Sequence, residues 1–371
     1  MQHTSQHSPE PAPAPRRGGI SRRRLLSGAA LGGAAAALSG GLSTVALAAS
    51  PTPAPSGTGA DADESAPSGR QLEIAAGALR AVITEEGAGL RSFTVGGTEF
   101  LNTFPAGGWA SDPSYGQLLL PWPNRVAGGR YTDPAGAQQQ LPVNEVKLGN
   151  AIHGLTRWMN WVSRQDARDR VTLSLVLHAS PGYPWVLQLT QEYRLTTTGL
   201  RVTTAARNLS TAPAPVGAGS HPYLTVGTPT IDAATLTIPA KSYFQTDDHN
   251  IPTGNPGPVD GTPFDFRSAR SIGTTQMDTG FADLIRGSDG LARVVLAAPG
   301  GRPAVTVWLD QTHQYLQIYT GDTLPDENAR RRGIAIEPYT CASDAFNNRL
   351  GLEVLKPGET FSSSWGITAV R

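Results

Sequence analysis

The chain contains one cysteine, Cys341, in 371 residues. An intramolecular disulfide is therefore impossible, and any exported form must be stable without one. Charge is also scarce, at 16% of residues, and balanced, with 30 Lys and Arg against 30 Asp and Glu. That balance removes the basic surface that nucleic-acid phosphates demand. There is no Gly-rich phosphate loop, no HExxH and no paired CxxC, and no tight His/Cys/Asp/Glu spacing suggests a metal. No convincing amphipathic helix exceeds two turns. What the chain does have is 42 Gly and 30 Pro, which suits many short strands joined by turns.

The N-terminus reads as an address. Ser21-Arg22-Arg23 precedes a weakly apolar run of Ala, Gly and Leu, and Ala46-Leu47-Ala48 fits a small-residue cleavage site. The Ser-Arg-Arg-x-Leu-Leu order resembles a twin-arginine (Tat) export signal, which sends folded proteins across the cytoplasmic membrane. A membrane anchor is the competing reading, although the Gly and Ala content makes a poor lipid-facing helix. Residues 1–48 are thus expected to be an export signal that engages the Tat machinery. Residues 49–70, rich in Pro, Ala, Ser, Gly and Asp, are expected to be a disordered linker.

From Gln71 onward the pattern is strand and turn. In "WVLQLTQEYRLTTTGLRVTTAARNLS", Leu187, Leu189, Tyr193 and Leu195 fall on one face, and Thr198-Gly199 supplies a turn. Further strands are expected at "RVTLSLVLHAS", "AVTVWLD", "YLQIYTG", "GIAIE" and "FSSSWGITAV". Neither a repeat nor a composition break divides 71–371, so the expectation is a single all-β domain, a large antiparallel β-sandwich. Residues 102–117 and 245–283 read as long loops, where binding groups usually sit. Arg330-Arg331-Arg332 reads as a solvated turn before a strand.

Five stretches carry polar residues in settings that a surface does not require. In "LLLPWPNRVAGGRY" two prolines fix the backbone that delivers Asn124 and Arg125. The guanidinium could fork onto hydroxyls or anions, or pair with a loop carboxylate. His153 in "NAIHGLTRWMNW" precedes a glycine and sits among tryptophans, as a ligand-facing or a core histidine. His221 in "GAGSHPYL" follows small residues that permit close approach, and Pro222 should interrupt the strand and leave the imidazole at its rim. Ser220 and His221 point to opposite faces, which argues against a nucleophile–base pair. Asp278 and Asp283 in "QMDTGFADL" read as loop residues. Glu337 in "GIAIEPYTCASDAFNN" ends an apolar alternation just before a proline.

Taken together and in order, "PWPNR…GGRY…LPVNE…HGL…W", "GSHPYL", "MDTGF", "IEPYTCASDAFN" and the closing "LKPGETF" resemble the aldose 1-epimerase (galactose mutarotase-like) family. The resemblance runs from about Gln71 to the end. It implies a mutarotase-like β-sandwich, a monosaccharide substrate, and neither cofactor nor metal. By position, Glu337 matches the general base and His221 the general acid. Asn124, Arg125 and His153 match groups around the sugar hydroxyls and ring oxygen, and Asp278 matches the sugar-binding aspartate. Tyr339 departs from the pattern, which often has Met there. The leader is an addition as well.

The residue types suit that chemistry. Opening a cyclic hemiacetal removes a proton from the C1 hydroxyl and gives one to the ring oxygen, and one carboxylate with one imidazolium does both. Ordinary pKa values of about 4.3 for Glu and about 6.5 for His make Glu the natural base and His the natural acid. A neighbouring acidic charge is expected to raise the His221 pKa. Trp109, Trp122 and Tyr339 are candidates to stack on sugar or to pack internally. Cys341 reads as a small buried residue. The competing functions are a non-catalytic carbohydrate-binding sandwich, a mutarotase for anionic sugars, and a lyase or hydrolase using Asp278 with Glu337.

Overall fold

The computed structural model describes residues 66–110 and 113–371. The export-type leader and residues 49–65 of the expected linker lie outside the described residues. The last linker positions are already packed. Ser68 is fully buried, and its carbonyl accepts from the Glu86 amide at 3.1 Å. The Arg70 guanidinium pairs with Glu85 at 3.0 Å. These polar ties fix the chain before the first strand, which a compositional reading of 49–70 missed.

Two large antiparallel sheets dominate. One has nine strands, in the spatial order Val162–Ala167, Arg170–Leu177, Leu187–Leu195, Leu200–Asn208, Thr360–Val370, Ala304–Leu309, Ala292–Ala297, Thr235–Thr237 and Arg270–Ser271. Its central strand is the last in sequence. Thr360–Val370 pairs with Leu200–Asn208 on one side and Ala304–Leu309 on the other. The second sheet has eight strands and runs from Gly257–Pro258 through Ala240–Tyr243, Asp278–Leu284, Tyr315–Tyr319 and Ile334–Tyr339 to Gly219–Ser220 and Leu118–Leu119. The short strand Tyr223–Leu224 also pairs with Ile334–Tyr339. A four-stranded meander, Gln71–Ala76 to Thr98–Glu99, flanks them. The only α-helix among the described residues is the single turn Ala345–Asn348. No described helix is long and apolar enough to cross a membrane.

The alternation read in the sequence drives this arrangement. Leu187, Leu189, Tyr193 and Leu195 are all buried, while Gln188 and Arg194 between them are exposed. One contiguous core joins Leu189, Val202, Val307 and Ile367 of the nine-stranded sheet to Phe281, Leu316, Ile318 and Ile336 of the eight-stranded one. Fully burying each such side chain contributes ~1.5–3 kcal/mol. The all-β sandwich expected from the sequence is therefore the fold observed.

Three local expectations differ from the structure. The run does not end at Glu337: the strand Ile334–Tyr339 continues past it and is buried at all six positions, covered on both faces. Its ladder also continues through Pro338: one missing donor removes one rung, and the pairs at Glu337 and Leu316–Pro338 remain. Asp278 begins a strand, not a loop, because Thr279 and Phe281 alternate inward along Asp278–Leu284. Arg331 is not merely a solvated turn residue. Its guanidinium bridges Asp232 and Asp322, both at 2.7 Å, and anchors the turn that leads into Ile334.

The two faces of the strand Leu187–Leu195 make opposite predictions. Leu189→Ala should lower unfolding stability by ~2–5 kcal/mol, and Gln188→Ala should change it by no more than ~0.5 kcal/mol. Urea denaturation of the two variants checks this.

Candidate active site

Register brings the two candidate acid–base groups together. Gly219 pairs with Tyr339, and Tyr223 pairs with Ala335. His221-Pro222 interrupts that ladder halfway, so His221 lies directly across from Glu337. Proline does break the strand here, as expected, but both halves stay on the same partner. The imidazole Nε2 is 3.4 Å from Glu337 Oε2. On the other side Glu337 pairs with Gln317, and Gln317 pairs with Gly280, two residues beyond Asp278. The Gln317 amide donates to Asp278 Oδ1 at 2.6 Å. His221, Glu337, Gln317 and Asp278 thus form a row across neighbouring strands on one sheet face. Ile334 and Ile336 point the other way, into the core. The small residues before His221 are needed for close packing: a Cβ on Gly219 would lie 2.5 Å from the Tyr339 ring.

Asn124 and His153 come from two chain corners clasped to each other. The Asn124 amide donates to His153 Nδ1 at 3.2 Å, and the His153 amide donates to the Asn124 carbonyl at 2.9 Å. Both residues have left-handed backbone, with φ of 52° and 63°. Such conformations cost ~1–3 kcal/mol each and persist where the surroundings impose them. The next residue must be glycine, since a Cβ on Gly154 would meet the Leu120 carbonyl oxygen at 2.0 Å. Because His153 Nδ1 accepts a hydrogen bond, neutral His153 carries its proton on Nε2. The imidazole edge of His153 lies against His221, with ring centroids 5.2 Å apart.

Arg125 resolves the alternatives left by the sequence. Its guanidinium makes a forked contact with Glu145 at 2.9–3.1 Å and reaches Asp278 Oδ2 at 3.2 Å. Asn250 donates to the same Asp278 oxygen at 3.0 Å. Burial works against the Arg125 charge, but Asp278 and Glu145 outweigh it and raise its pKa. Arg125 is thus ion-paired with Asp278 and Glu145, and it lines the cleft beside Asn124.

These groups lie at the floor of a cleft of about 540 Å³, with Trp158, Val146 and Pro325 toward its rim. That volume suits a small-molecule site. Trp122 is not in the cleft; it is buried and packs on Phe346. Trp109 is half-exposed and does not line the cleft. Tyr339 is buried, with its hydroxyl donated to Glu337 Oε2. Cys341 is fully buried, and burial pushes its thiol up to about 12, which leaves it inert.

The electrostatics run against one expectation. Burial pushes the His221 imidazole down to about 3; its own backbone opposes this and the Arg157 charge adds to it. The rise anticipated from a neighbouring carboxylate does not occur, because burial dominates and also drives Glu337 toward its neutral form. Its Nδ1 faces only its own backbone, without a well-formed hydrogen bond. Burial likewise pushes His153 well below 6.5, aided by His221, Arg157 and Arg125. For Glu337, burial drives the carboxyl well above 4.5; the Tyr339 hydrogen bond opposes it, Asp278 adds to the rise and Arg125 opposes it. Burial thus drives the pair toward one shared proton and no net charge separation.

His153, His221 and Glu337 also place donor atoms within 4.8 Å of one another, a grouping invisible in linear spacing. They fit a metal poorly. A resident ion needs each donor about 2 Å away with a free lone pair. The Asn124 amide holds His153 with its proton on Nε2, the only nitrogen left to face the cleft.

Sequence reading missed Gln317, Asn250, Glu145 and Arg157. Gln317 had a signal: it is a buried polar residue within the apolar strand Tyr315–Tyr319. Glu145 and Asn250 lie in irregular segments, and only tertiary contact reveals them.

The cleft sets a buried carboxylate against a buried imidazole with amide and guanidinium groups around them, the side-chain types that acid–base chemistry uses. The sequence profile of the aldose 1-epimerase family matches residues 70–368. The chain is 34% identical over 298 residues to the uncharacterized protein YihR of Escherichia coli K12, covering 79% of this chain and 91% of that one. It is 28% identical over 280 residues to mouse galactose mutarotase, covering 68% and 78%. Among solved structures, the GalM/aldose epimerase homologue from C. elegans superposes with a TM-score of 0.73 at 19% identity, covering 81% of this chain and 98% of that one. Galactose 1-epimerase from Lactobacillus acidophilus gives 0.69 at 20% identity, covering 81% and 94%. The chain belongs to the aldose 1-epimerase family, whose enzymes are isomerases.

The Glu337 carboxyl imposes a stability cost with a defined pH dependence. Its folded pKa lies above 4.5, so the unfolded chain ionises it first as pH rises. Stability contributed by the protonated form is present below about pH 4.5 and is lost as pH climbs through the folded pKa. Glu337→Gln should therefore match the wild-type melting temperature near pH 4 and exceed it at pH 7, by roughly 2–4 °C for each kcal/mol relieved. Differential scanning calorimetry at the two pH values reads this directly.

Proposed function

We propose that the protein is a mutarotase, an aldose 1-epimerase that interconverts the α and β anomers of a monosaccharide. The observation that carries this reading is the buried His221–Glu337 pair, 3.4 Å apart at the cleft floor. When the proton shared by the pair resides on His221, Glu337 takes the proton of the C1 hydroxyl while His221 gives its own to the ring oxygen. The bond from C1 to the ring oxygen breaks and a carbonyl forms at C1. Rotation about C1–C2 presents the other carbonyl face, and closure reverses both transfers. Protons balance, and the pair returns to its starting state. His153 donates through Nε2–H to a sugar oxygen. Asp278, oriented by Arg125, Gln317 and Asn250, and Asn124 bind hydroxyls.

The geometry disfavours a hydrolase. Both Asp278 oxygens already accept hydrogen bonds, and the residue is ion-paired with Arg125, which leaves Glu337 without a free second carboxylate. A purely binding role leaves the buried acid–base pair without a purpose. A mutarotase for anionic sugars would need a cation available to the anion. Arg125 is offset by Glu145 and Asp278, and Arg157, which lines the same cleft, already donates to Ser114 Oγ.

Polarimetry tests the activity. Purified protein should accelerate the mutarotation of freshly dissolved α-D-glucose, α-D-galactose or a sugar in a panel that includes anionic aldoses. Glu337→Gln and His221→Asn should each lose about 10²–10⁴-fold. No acceleration of any sugar by wild type would refute the reading.

We also propose that the protein acts after export as a folded unit, on the strength of its Ser-Arg-Arg-x-Leu-Leu leader. In a bacterial host with a Tat system, Arg22→Lys with Arg23→Lys should abolish export of a reporter fused to residues 1–70. Export unchanged by the double substitution would reject this route.

A further inference from the structure

The proposed base is held in a site that resists its ionisation, and the structure contains one group built to counter this. Tyr339 lies two residues beyond Glu337 on the same strand, so both side chains share the cleft face. Its ring is buried against Gly219, where a Cβ would approach within 2.5 Å. That seat aims the phenol at Glu337 Oε2, to which it donates. His221 Nε2 faces the same oxygen at 3.4 Å. Oε2 is therefore committed to protein groups, and Oε1 is left for the ligand.

We propose that Tyr339 is a positioning residue for Glu337: its phenol O–H holds the carboxylate in the ionised, basic form and orients Oε1 toward the C1 hydroxyl. Burial and the Glu337 charge keep the phenol protonated, so it remains a donor across the working pH range. A hydrogen bond to an ionised acceptor is stronger than one to a neutral acid, so the contact favours the carboxylate over its protonated form. The other groups that face Glu337 pull in both directions. Arg125 favours its charge and Asp278 opposes it. His221 and His153 are neutral rings within reach, Gln317 is neutral across the ladder, and Tyr223 stacks on His221. Removing the Tyr339 hydroxyl takes away the donor to Glu337 and a hydrogen-bond partner of the Asn124 side chain, and it changes no formal charge.

The inference rests on the mutarotase reading for its catalytic meaning, and the test separates the two. Tyr339→Phe removes only the hydroxyl, and Tyr339→Met supplies a second variant with different packing. In both, the acid limb of kcat/KM against pH should move up by about one unit, a tenfold loss below the limb with recovery above it. In parallel, ¹³C NMR of protein carrying [5-¹³C]glutamate follows the Glu337 carboxyl, assigned by its absence in Glu337→Gln. Its titration should move up by the same amount. A merely structural role predicts a loss independent of pH and an unmoved titration, and that result overturns the proposal. If wild type accelerates no sugar, the mutarotase reading falls, while the carboxyl titration in the Phe and Met variants still decides the role of Tyr339.

Discussion

The pairing register between Ile334–Tyr339 and the two short strands around His221-Pro222 is the constraint on which the site depends. Antiparallel pairing is quantised in steps of one residue, and a single-residue slip would turn Glu337 into the core and Ile336 into the cleft. The register is pinned on both sides of the break, by Gly219 with Tyr339 and by Tyr223 with Ala335. Pro222 therefore exposes the imidazole without loosening its position. The close approach of Gly219 to the Tyr339 ring adds a steric constraint, since a Cβ there would lie 2.5 Å from the ring.

Around this row the protein places charge sparingly. Arg125 is paired with two carboxylates, Glu145 and Asp278, which offset its charge. The His221–Glu337 pair sits deep enough that burial pushes both toward neutrality. Such a pair resists separating charge, yet it needs only one proton to serve a reaction that takes one and returns one. The nearby dipoles and donors decide how readily the proton moves, which gives weight to a single phenol hydroxyl. The left-handed corners at Asn124 and His153 serve the same end, because the backbone amide of one fixes the tautomer of the other.

The described domain has no disulfide to maintain, and its one thiol is buried and inert. Its core is continuous from the flanking meander to the last strand, which lies in the centre of the nine-stranded sheet. Completion of that sheet requires the C-terminal residues to insert between strands made much earlier. A sandwich of this topology is dominated by long-range contacts, and its cooperative unit is the whole domain.

Much of this architecture follows from the sequence itself. Period-two alternation, frequent Gly and Pro and the lack of helical periodicity fixed an all-β sandwich, because local pattern decides which face of a strand is buried. Glu337, His221, His153, Asn124, Arg125 and Asp278 were legible as polar residues placed where strands end or prolines stiffen the chain. Other features were decided by tertiary structure alone. The pairing of Arg125 with Glu145, the depth that pushes His221 down instead of up, the strand at Asp278 and the contact from Tyr339 to Glu337 all depend on groups far apart in sequence or on burial from both sheet faces. Sequence pattern specifies what a residue is and which way it points. Only packing sets how far it lies from water and from its partners, and proton affinity depends on those distances.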